Sequence, residues 1–157
     1  MSKELIQQVT APNGSVFTGS GTNSYLIGRE DITLVDPGPK IDEHIEKLIK
    51  LGEGKIKRIL VTHTHRDHSP AAKVIGEILN VPLMGRLVEK DDTLQDKTFK
   101  PERFLGHGDL IETAEYTIES IHTPGHASNH LCFLIREEKA MLTGDHIMNG
   151  STVVIAH

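Results

Sequence analysis

Apolar and polar residues follow one another along the chain in two patterns, one typical of strands and one typical of helices. Short apolar runs between glycine and asparagine turns predict strands at residues 5–10, 24–27, 32–35 and 58–62. Apolar residues recur at helical spacing over residues 41–51, with Gly52 and Gly54 at the end. A second helical pattern begins at Pro70, with Ser69 as the expected N-cap. Strands that alternate with helices indicate an α/β fold.

The segment His-Thr-His-Arg-Asp-His, residues 63–68, carries the most chemical information in the chain. It places four potential metal ligands directly after a predicted buried strand. His63 and His65 are two residues apart, so in an extended segment they point the same way. Asp67 and His68 are then able to face the other side of the loop. This arrangement suits two metal ions better than one, and we prefer it to a solvated polar loop.

Two later segments repeat the pattern of one ligand just past a strand. Thr-Pro-Gly-His ends at His126 and follows a strand-like run over residues 116–122. Thr-Gly-Asp ends at Asp145 and follows a strand-like run over residues 139–142. Both ligands lie on glycine-containing turns, where the backbone can approach a bound ion closely.

The three motifs, in this order, resemble those of the metallo-β-lactamase superfamily. The resemblance implies two metal ions with a defined set of ligands. The first ion would be bound by His63, His65 and His126, and the second by Asp67 and His68, with Asp145 bridging both.

Further segments are similar to one branch of that superfamily, the β-lactamase-like protein 2 group. They are residues 21–28, 35–39, 108–109 and 144–154. That group includes a mitochondrial endoribonuclease directed at single strands. The resemblance covers nearly all 157 residues and implies an αββα fold of two similar halves packed face to face. We therefore expect residues 1–157 to form one domain that holds the N-terminal αβ half and the first strands of the C-terminal half.

One departure from the family concerns the second metal ion. The family has a further histidine downstream of the Thr-Gly-Asp motif as the last ligand of that ion. This chain ends at His157, twelve residues after Asp145, and by its position His157 is a poor substitute. We expect the C-terminal part of the fold to be missing and the second site to be underligated. We also expect a sheet face without its covering helix, so that the chain would either self-associate through that face or be unusually unstable as a monomer.

Two stretches outside the motifs also carry predictions. Residues 85–102 are polar, and we expect a surface excursion there, near the rim of the active site. Residues 111–122 and 129–142 predict strands joined in hairpins. No internal repeat or linker divides the chain.

Asp36 is the main candidate for a supporting role around the metal. It follows a predicted strand and precedes Pro-Gly. The resemblance implies that it contacts a metal-binding histidine, and the alternative is an aspartate that only initiates the turn. His130 is expected to support the neighbouring loop rather than bind metal. His146 adjoins Asp145, but adjacent strand residues face opposite ways, so we do not expect it to be a ligand.

Other polar residues have a structural and a functional interpretation. Arg66 would contact an anionic substrate, but we favour a solvated side chain or a structural salt bridge. Asn23 and Tyr25 would line the site or belong to a strand turn. We interpret the remaining histidines as structural, with His44 on the outer face of its helix: His44, His107 and His122.

Composition and charge bear on the binding partners and on the cellular location that we expect. The net charge of −5 gives no strong basic field to attract nucleic acid, although bound metal would reverse the local sign. The single cysteine, Cys132, is expected to be a small buried hydrophobe. The sequence has no secretory signal pattern and no apolar run of membrane-spanning length, so we expect a cytoplasmic protein without a membrane partner.

The function implied by the resemblance is metal-dependent hydrolysis by a metal-bound hydroxide. Zinc accepts imidazole and carboxylate ligands, although manganese and iron tolerate them too. We expect two zinc ions and a substrate that is a small molecule or single-stranded RNA. Asp67, His68 and Asp145 are the expected catalytic residues. A thioester hydrolase of the glyoxalase II type and a truncated, non-catalytic metal-binding chain are the alternatives.

Overall fold

The computed structural model describes residues 5–15, 18, 21–90, 93–145 and, for the backbone alone, 154–156. Two α-helices lie in this part of the chain, α1 (Asp42–Gly52) and α2 (Pro70–Leu79), with a short 3₁₀ helix at Arg136–Glu138. The strands are β1 (Ile6–Thr10), β2 (Asn23–Ile27), β3 (Ile32–Val35), β4 (Ile56–Leu60), β5 (Leu83–Gly85), β6 (Arg103–Phe104), β7 (Leu110–Glu112), β8 (Thr117–His122), β9 (Leu131–Ile135), β10 (Ala140–Leu142) and β11 (Val154–Ala156).

The first sheet has the spatial order β1-β2-β3-β4-β5-β6. Strands β1 to β3 are antiparallel neighbours, whereas β3 to β6 run parallel. Both helices pack on one face of this sheet, because each has an apolar stripe that recurs at helical spacing. Ile45 and Leu48 of α1 and Ile75 of α2 are buried there in one core with residues of the strands.

The second sheet is antiparallel, in the order β11-β10-β9-β8-β7. Its inner face packs on the first sheet, where Tyr25 and Leu60 meet Ile118, Leu131 and Phe133 in a second core. Helix, sheet and sheet thus form three layers, which confirms the predicted α/β fold. No α-helix of the described residues covers the outer face of the second sheet.

The outer face of the second sheet carries several apolar side chains that are half-buried. They are Ile121, Leu134 and Met141, which alternate with the inward-facing residues of their strands. Self-association through this face stays a prediction. In the part of the chain that the structure describes, no helix is both long and apolar enough to span a membrane.

Residues 85–102 were predicted to form a surface excursion, but some of them are buried. The segment lies beside the metal loop, where Gln95 forms a β-bridge with His65, but Gln95, Asp96 and Phe99 are buried. Phe99 belongs to the core beneath the helices. Asp96 accepts a hydrogen bond from Ser69 Oγ at 2.6 Å. Ser69 therefore precedes α2 without capping it through its side chain, in contrast to the prediction.

The predicted position of His44 on the outer face of α1 is wrong. Its side chain is buried, and Nε2 lies 2.9 Å from Ser24 Oγ. Ser24 Oγ also donates to the backbone oxygen of Asp36 at 2.7 Å. His44 is structural, as expected, but it supports the Asp36 turn from inside the fold.

Candidate metal centre

Three loops meet at one edge of the two sheets and bring all six predicted ligands together. The loop after β4 carries His63, His65, Asp67 and His68, the loop after β8 carries His126, and the turn after β10 carries Asp145. They form two groups, each with ligand atoms within 4.8 Å of one another. The first group is His63, His65, His126 and Asp145, and the second is Asp67, His68 and Asp145.

Asp145 belongs to both groups because its two carboxylate oxygens face different neighbours. Oδ2 lies 3.2 Å from His126 Nε2 and 3.5 Å from His63 Nε2. Oδ1 lies 3.3 Å from His68 Nε2. A carboxylate in this position is able to bridge two cations, one on each oxygen.

The atoms at this centre fit divalent metal ions. His63 is fully buried, and its Nε2 makes no well-formed hydrogen bond with any described residue. An unpaired buried nitrogen is costly, and a metal ion is a partner that imidazole and carboxylate atoms share. His65 Nδ1 and His126 Nε2 lie 3.0 Å apart, so these two nitrogens also converge on one place.

Exposure differs across the cluster and shows where it opens to solvent. The side chains of His126 and Asp67 are 35% and 33% exposed, whereas those of His63 and His68 are 0% and 3% exposed. The cluster is therefore open to solvent on the side of His126 and Asp67. Arg66, between His65 and Asp67 in the chain, is also exposed.

Asp36 makes the contact that was predicted for it. Its Oδ2 lies 3.0 Å from His68 Nδ1 and also accepts a hydrogen bond from Thr62 Oγ1 at 2.7 Å. The hydroxyl proton of Thr62 thus goes to Asp36, so His63 Nδ1 donates to Thr62 Oγ1 at 2.9 Å. Asp36 therefore turns Nε2 of His68 and, through Thr62, Nε2 of His63 towards Asp145.

Burial and neighbouring charges together shift the pKa values of the buried ligands, downwards for His63 and Asp145 and upwards for His68. Burial, reinforced by His68, lowers the pKa of His63 well below its usual value. Burial also opposes a charge on His68, but Asp36 and Asp145 outweigh it and raise the pKa of His68 well above its usual value. Burial disfavours ionised Asp145, but the neighbouring His63 and His68 outweigh it and keep its pKa well below the usual range.

A polar network that the sequence did not reveal holds the metal loop in place. Thr64 Oγ1 donates to Gln95 Oε1, and Asn129 Nδ2 donates to Thr64 Oγ1 at 2.9 Å. Asn129 Nδ2 also donates to the backbone oxygen of Arg86 at 2.8 Å. Nothing in the sequence pairs these residues, because they are far apart along the chain.

The other polar candidates lie away from the ligand groups. Asn23 bonds to side chains of β1, and Tyr25 is buried between the sheets, so both belong to a strand rather than to the site. His122 Nε2 lies 2.9 Å from the backbone oxygen of Ser128, in keeping with a structural role. Cys132 is buried, as expected. His146 and His157 lie outside the described residues.

Comparison with known proteins connects this geometry to a family. The sequence profile described as Metallo-beta-lactamase superfamily matches residues 17–157. The chain is 33% identical, over 155 residues, to an atrochrysone carboxyl ACP thioesterase of Aspergillus chevalieri, covering 95% of this chain and 48% of that protein. It is 30% identical, over 156 residues, to the lactamase-like protein ptaB of Pestalotiopsis fici, covering 96% of this chain and 47% of that protein.

The solved structures add support for the fold. A metallo-beta-lactamase family protein of Thermus thermophilus matches with a TM-score of 0.74 at 23% identity, over 92% of this chain and 60% of that one. The chain spans about half the length of the curated relatives it matches. Membership of the narrower β-lactamase-like protein 2 group stays a prediction.

Proposed function

Because the chain belongs to the metallo-β-lactamase superfamily, we propose that its two ligand groups hold two zinc ions and that the protein hydrolyses a thioester. The observation that carries this proposal is the position of Asp145. Its Oδ2 faces the histidines of the first group, and its Oδ1 faces His68 of the second. One carboxylate between two sets of donors is the arrangement that a pair of metal ions requires.

Zinc is proposed because of the donor atoms. Imidazole and carboxylate ligands suit it, and hydrolysis needs no redox change at the metal. The first group offers four side chains, three histidines of its own and Asp145, which it shares with the second group. The second offers three, so we expect its ion to be held more weakly.

In the proposed reaction, a pair of bound zinc ions would supply a water of lowered pKa and polarise the substrate carbonyl. The chain's own residues then have separate roles. His63 and His68, fixed by Asp36 and Thr62, orient their Nε2 atoms. Asp67, which is one third exposed, is the carboxylate placed to accept the proton of the attacking water. The water oxygen bonds to the acyl carbon, the carbon–sulfur bond breaks, and the thiol leaves with a proton.

Two observations favour a thioester as the substrate. The relative from Aspergillus chevalieri is named a thioesterase. The segment that adjoins the metal loop also carries Leu87 and Leu94 with 45% and 62% of their surface exposed, and such apolar side chains suit an acyl group better than a phosphate backbone.

Single-stranded RNA is the second candidate substrate. Exposed Arg66, inside the metal loop, is the observation that favours it, because a guanidinium binds phosphate oxygens. The net charge of −5 argues against a broad nucleic-acid surface. A phosphodiester substrate would therefore depend on contacts close to the metal centre.

The proposal is tested by hydrolysis assays at matched zinc with an acyl thioester and with single-stranded RNA. We expect zinc-dependent release of thiol, and its loss in Asp145→Asn. Asp42→Asn on the exposed start of α1 is the matched control and should retain the activity. Cleavage of RNA alone would replace the thioester with the second candidate. Bound zinc without turnover of either substrate would leave a non-catalytic metal-binding chain and overturn the proposal.

A further inference from the structure

We propose that His130 is a positioning residue that fixes Asp145 and joins the three ligand loops without binding metal itself. The inference rests on the proposed function only in taking Asp145 as a ligand of both ions. His130 is fully buried beneath the metal centre, in the loop that follows His126.

Both ring nitrogens of His130 are engaged by neighbouring ligand loops. Nε2 accepts a hydrogen bond from the backbone N–H of Asp145 at 3.1 Å. Since Nε2 is the acceptor, a neutral ring carries its proton on Nδ1, which lies 2.9 Å from Thr123 Oγ1. Thr123 begins the turn that carries His126. Neither nitrogen is therefore left to bind a metal ion.

The ring of His130 also packs against the third ligand loop. It stacks on His63 with a centroid separation of 5.0 Å and an interplanar angle of 29°. One side chain thus touches the loop after β4, the turn of His126 and the turn of Asp145. A histidine is suited to this role because its flat ring stacks while its two nitrogens bond in opposite directions.

The residue before Asp145 shows how closely the turn approaches this ring. A Cβ atom added to Gly144 would lie 2.7 Å from His130 Nε2 and 2.7 Å from Thr62 Oγ1. Gly144 also has a φ of +52°, in the left-handed region that side chains disfavour. The glycine therefore lets the backbone of Asp145 reach His130.

A fixed backbone at Asp145 matters more than at any other ligand. Its two oxygens face different ligand groups, so a rotation of this residue would displace both contacts together. Loss of the hydrogen bond to His130 should accordingly weaken both ions. Loss of a ligand that belongs to one group should weaken mainly one.

The test compares two amide substitutions of similar polarity. His130→Gln places an amide oxygen near the former position of Nε2, whereas His130→Asn ends near the former position of Nδ1. We expect His130→Asn to weaken both zinc affinities about 10–100-fold, the usual effect of losing an outer hydrogen-bond partner. His130→Gln should stay within about tenfold of the parent protein, by the same measure. Competition titrations with a chromophoric chelator measure the two zinc affinities of each variant. His107→Gln, at an exposed position, is the control.

A second measurement needs no metal. In the metal-free protein, hydrogen exchange at the Asp145 amide should be faster in His130→Asn than in His130→Gln. Thr123→Val leaves His130 in place but frees its Nδ1, so the ring can change tautomer. We expect partial loss of protection at the Asp145 amide, which keeps the test informative if the His130 variants do not fold.

The outcomes separate this inference from the proposed function. Equal zinc affinities and equal exchange in the two amide variants would overturn it, as would weakening of only one ion. Failure of the parent protein to bind zinc would contradict the proposed function instead. The exchange experiment would then still decide whether His130 fixes Asp145.

Discussion

The two groups of metal ligands share Asp145 but differ in nearly everything else. The first group surrounds it with three histidine nitrogens, whereas the second offers one histidine and one further carboxylate. Shared geometry alone therefore does not predict equal binding. The number, kind and protonation of the remaining donors would set the order in which two ions bind.

Protonation makes the difference between the groups larger. Burial lowers the pKa values of His63 and His65, so both rings are neutral and ready to bind at neutral pH. The carboxylates of Asp36 and Asp145 outweigh burial and raise the pKa of His68, so a proton must leave the second group before an ion can enter. We infer that the first group fills first.

Substitution of Asp145 should weaken zinc binding at both groups and have the largest effect of the changes considered. Asp145→Asn removes the only carboxylate in the first group and one of two in the second. We expect both zinc affinities to fall by more than about 100-fold, beyond the usual loss for an outer partner. Zinc content after gel filtration measures this, with Asp42→Asn as control. Retention of either ion in Asp145→Asn would show that this carboxylate is not shared.

Substitution of His65 should separate the groups. His65 contributes to the first group alone, so His65→Ala should weaken the tighter ion by at least about 100-fold, while the other stays within about tenfold. His107→Ala removes an exposed histidine as a control. Metal content per chain that does not change in His65→Ala would contradict the ligand assignment.

Substitution of Asp36 tests the support of the second group. Asp36→Asn would present an amide N–H or a weaker acceptor to His68 Nδ1, so the ring loses its fixed orientation. Asparagine tolerates the positive φ of 50° found here, and the turn should remain intact. We expect affinity for the weaker ion to fall about 10–100-fold. The tighter ion should change less, because His63 is reached only through Thr62. An unaltered zinc titration would return Asp36 to the role of a turn residue.

A change of pH should affect the second group more than the first. His68 has a raised pKa, so lowering the pH from about 7.5 to 6.5 keeps its proton in place and opposes metal entry. His63 and His65 have lowered pKa values, so over this range they take up protons less readily than an ordinary histidine does. The affinity of the first group divided by that of the second should therefore rise by up to about tenfold as the pH falls by one unit. A constant ratio across this range would contradict the assignment of the bound proton to His68.

The sequence predicted which six side chains come together, because motif order and strand ends are local features. His63 and His65 follow the apolar run of β4, and the parallel neighbour β3 brings Asp36 to the same edge of the sheet. The structure shows the predicted contact between Asp36 and His68. That these side chains bind metal stays a prediction.

The sequence failed where burial depends on contacts between distant segments. Polar residues at 85–102 suggested a surface excursion, yet Gln95 and Asp96 are buried because Thr64 and Ser69 bond to them. His44 lies three residues after Ile41 and four before Leu48, so helical spacing places it beside the apolar stripe. Its polar side chain suggested exposure, but Ser24 accommodates it inside the fold. The partners of His130 likewise come from two other loops. Hydrophobic periodicity carries no information on such polar pairs.

The unequal pair of sites is tested most directly by titrating the metal-free protein with zinc and measuring the heat of binding by calorimetry. The titration is run at about pH 7.5, where His63 and His65 are neutral. We expect two binding events per chain, a tight one at the first group and a weaker one at the second. In His65→Ala the tight event should disappear while the weaker one remains. Two events of equal affinity, or a tight event that survives in His65→Ala, would contradict the unequal pair of sites around Asp145.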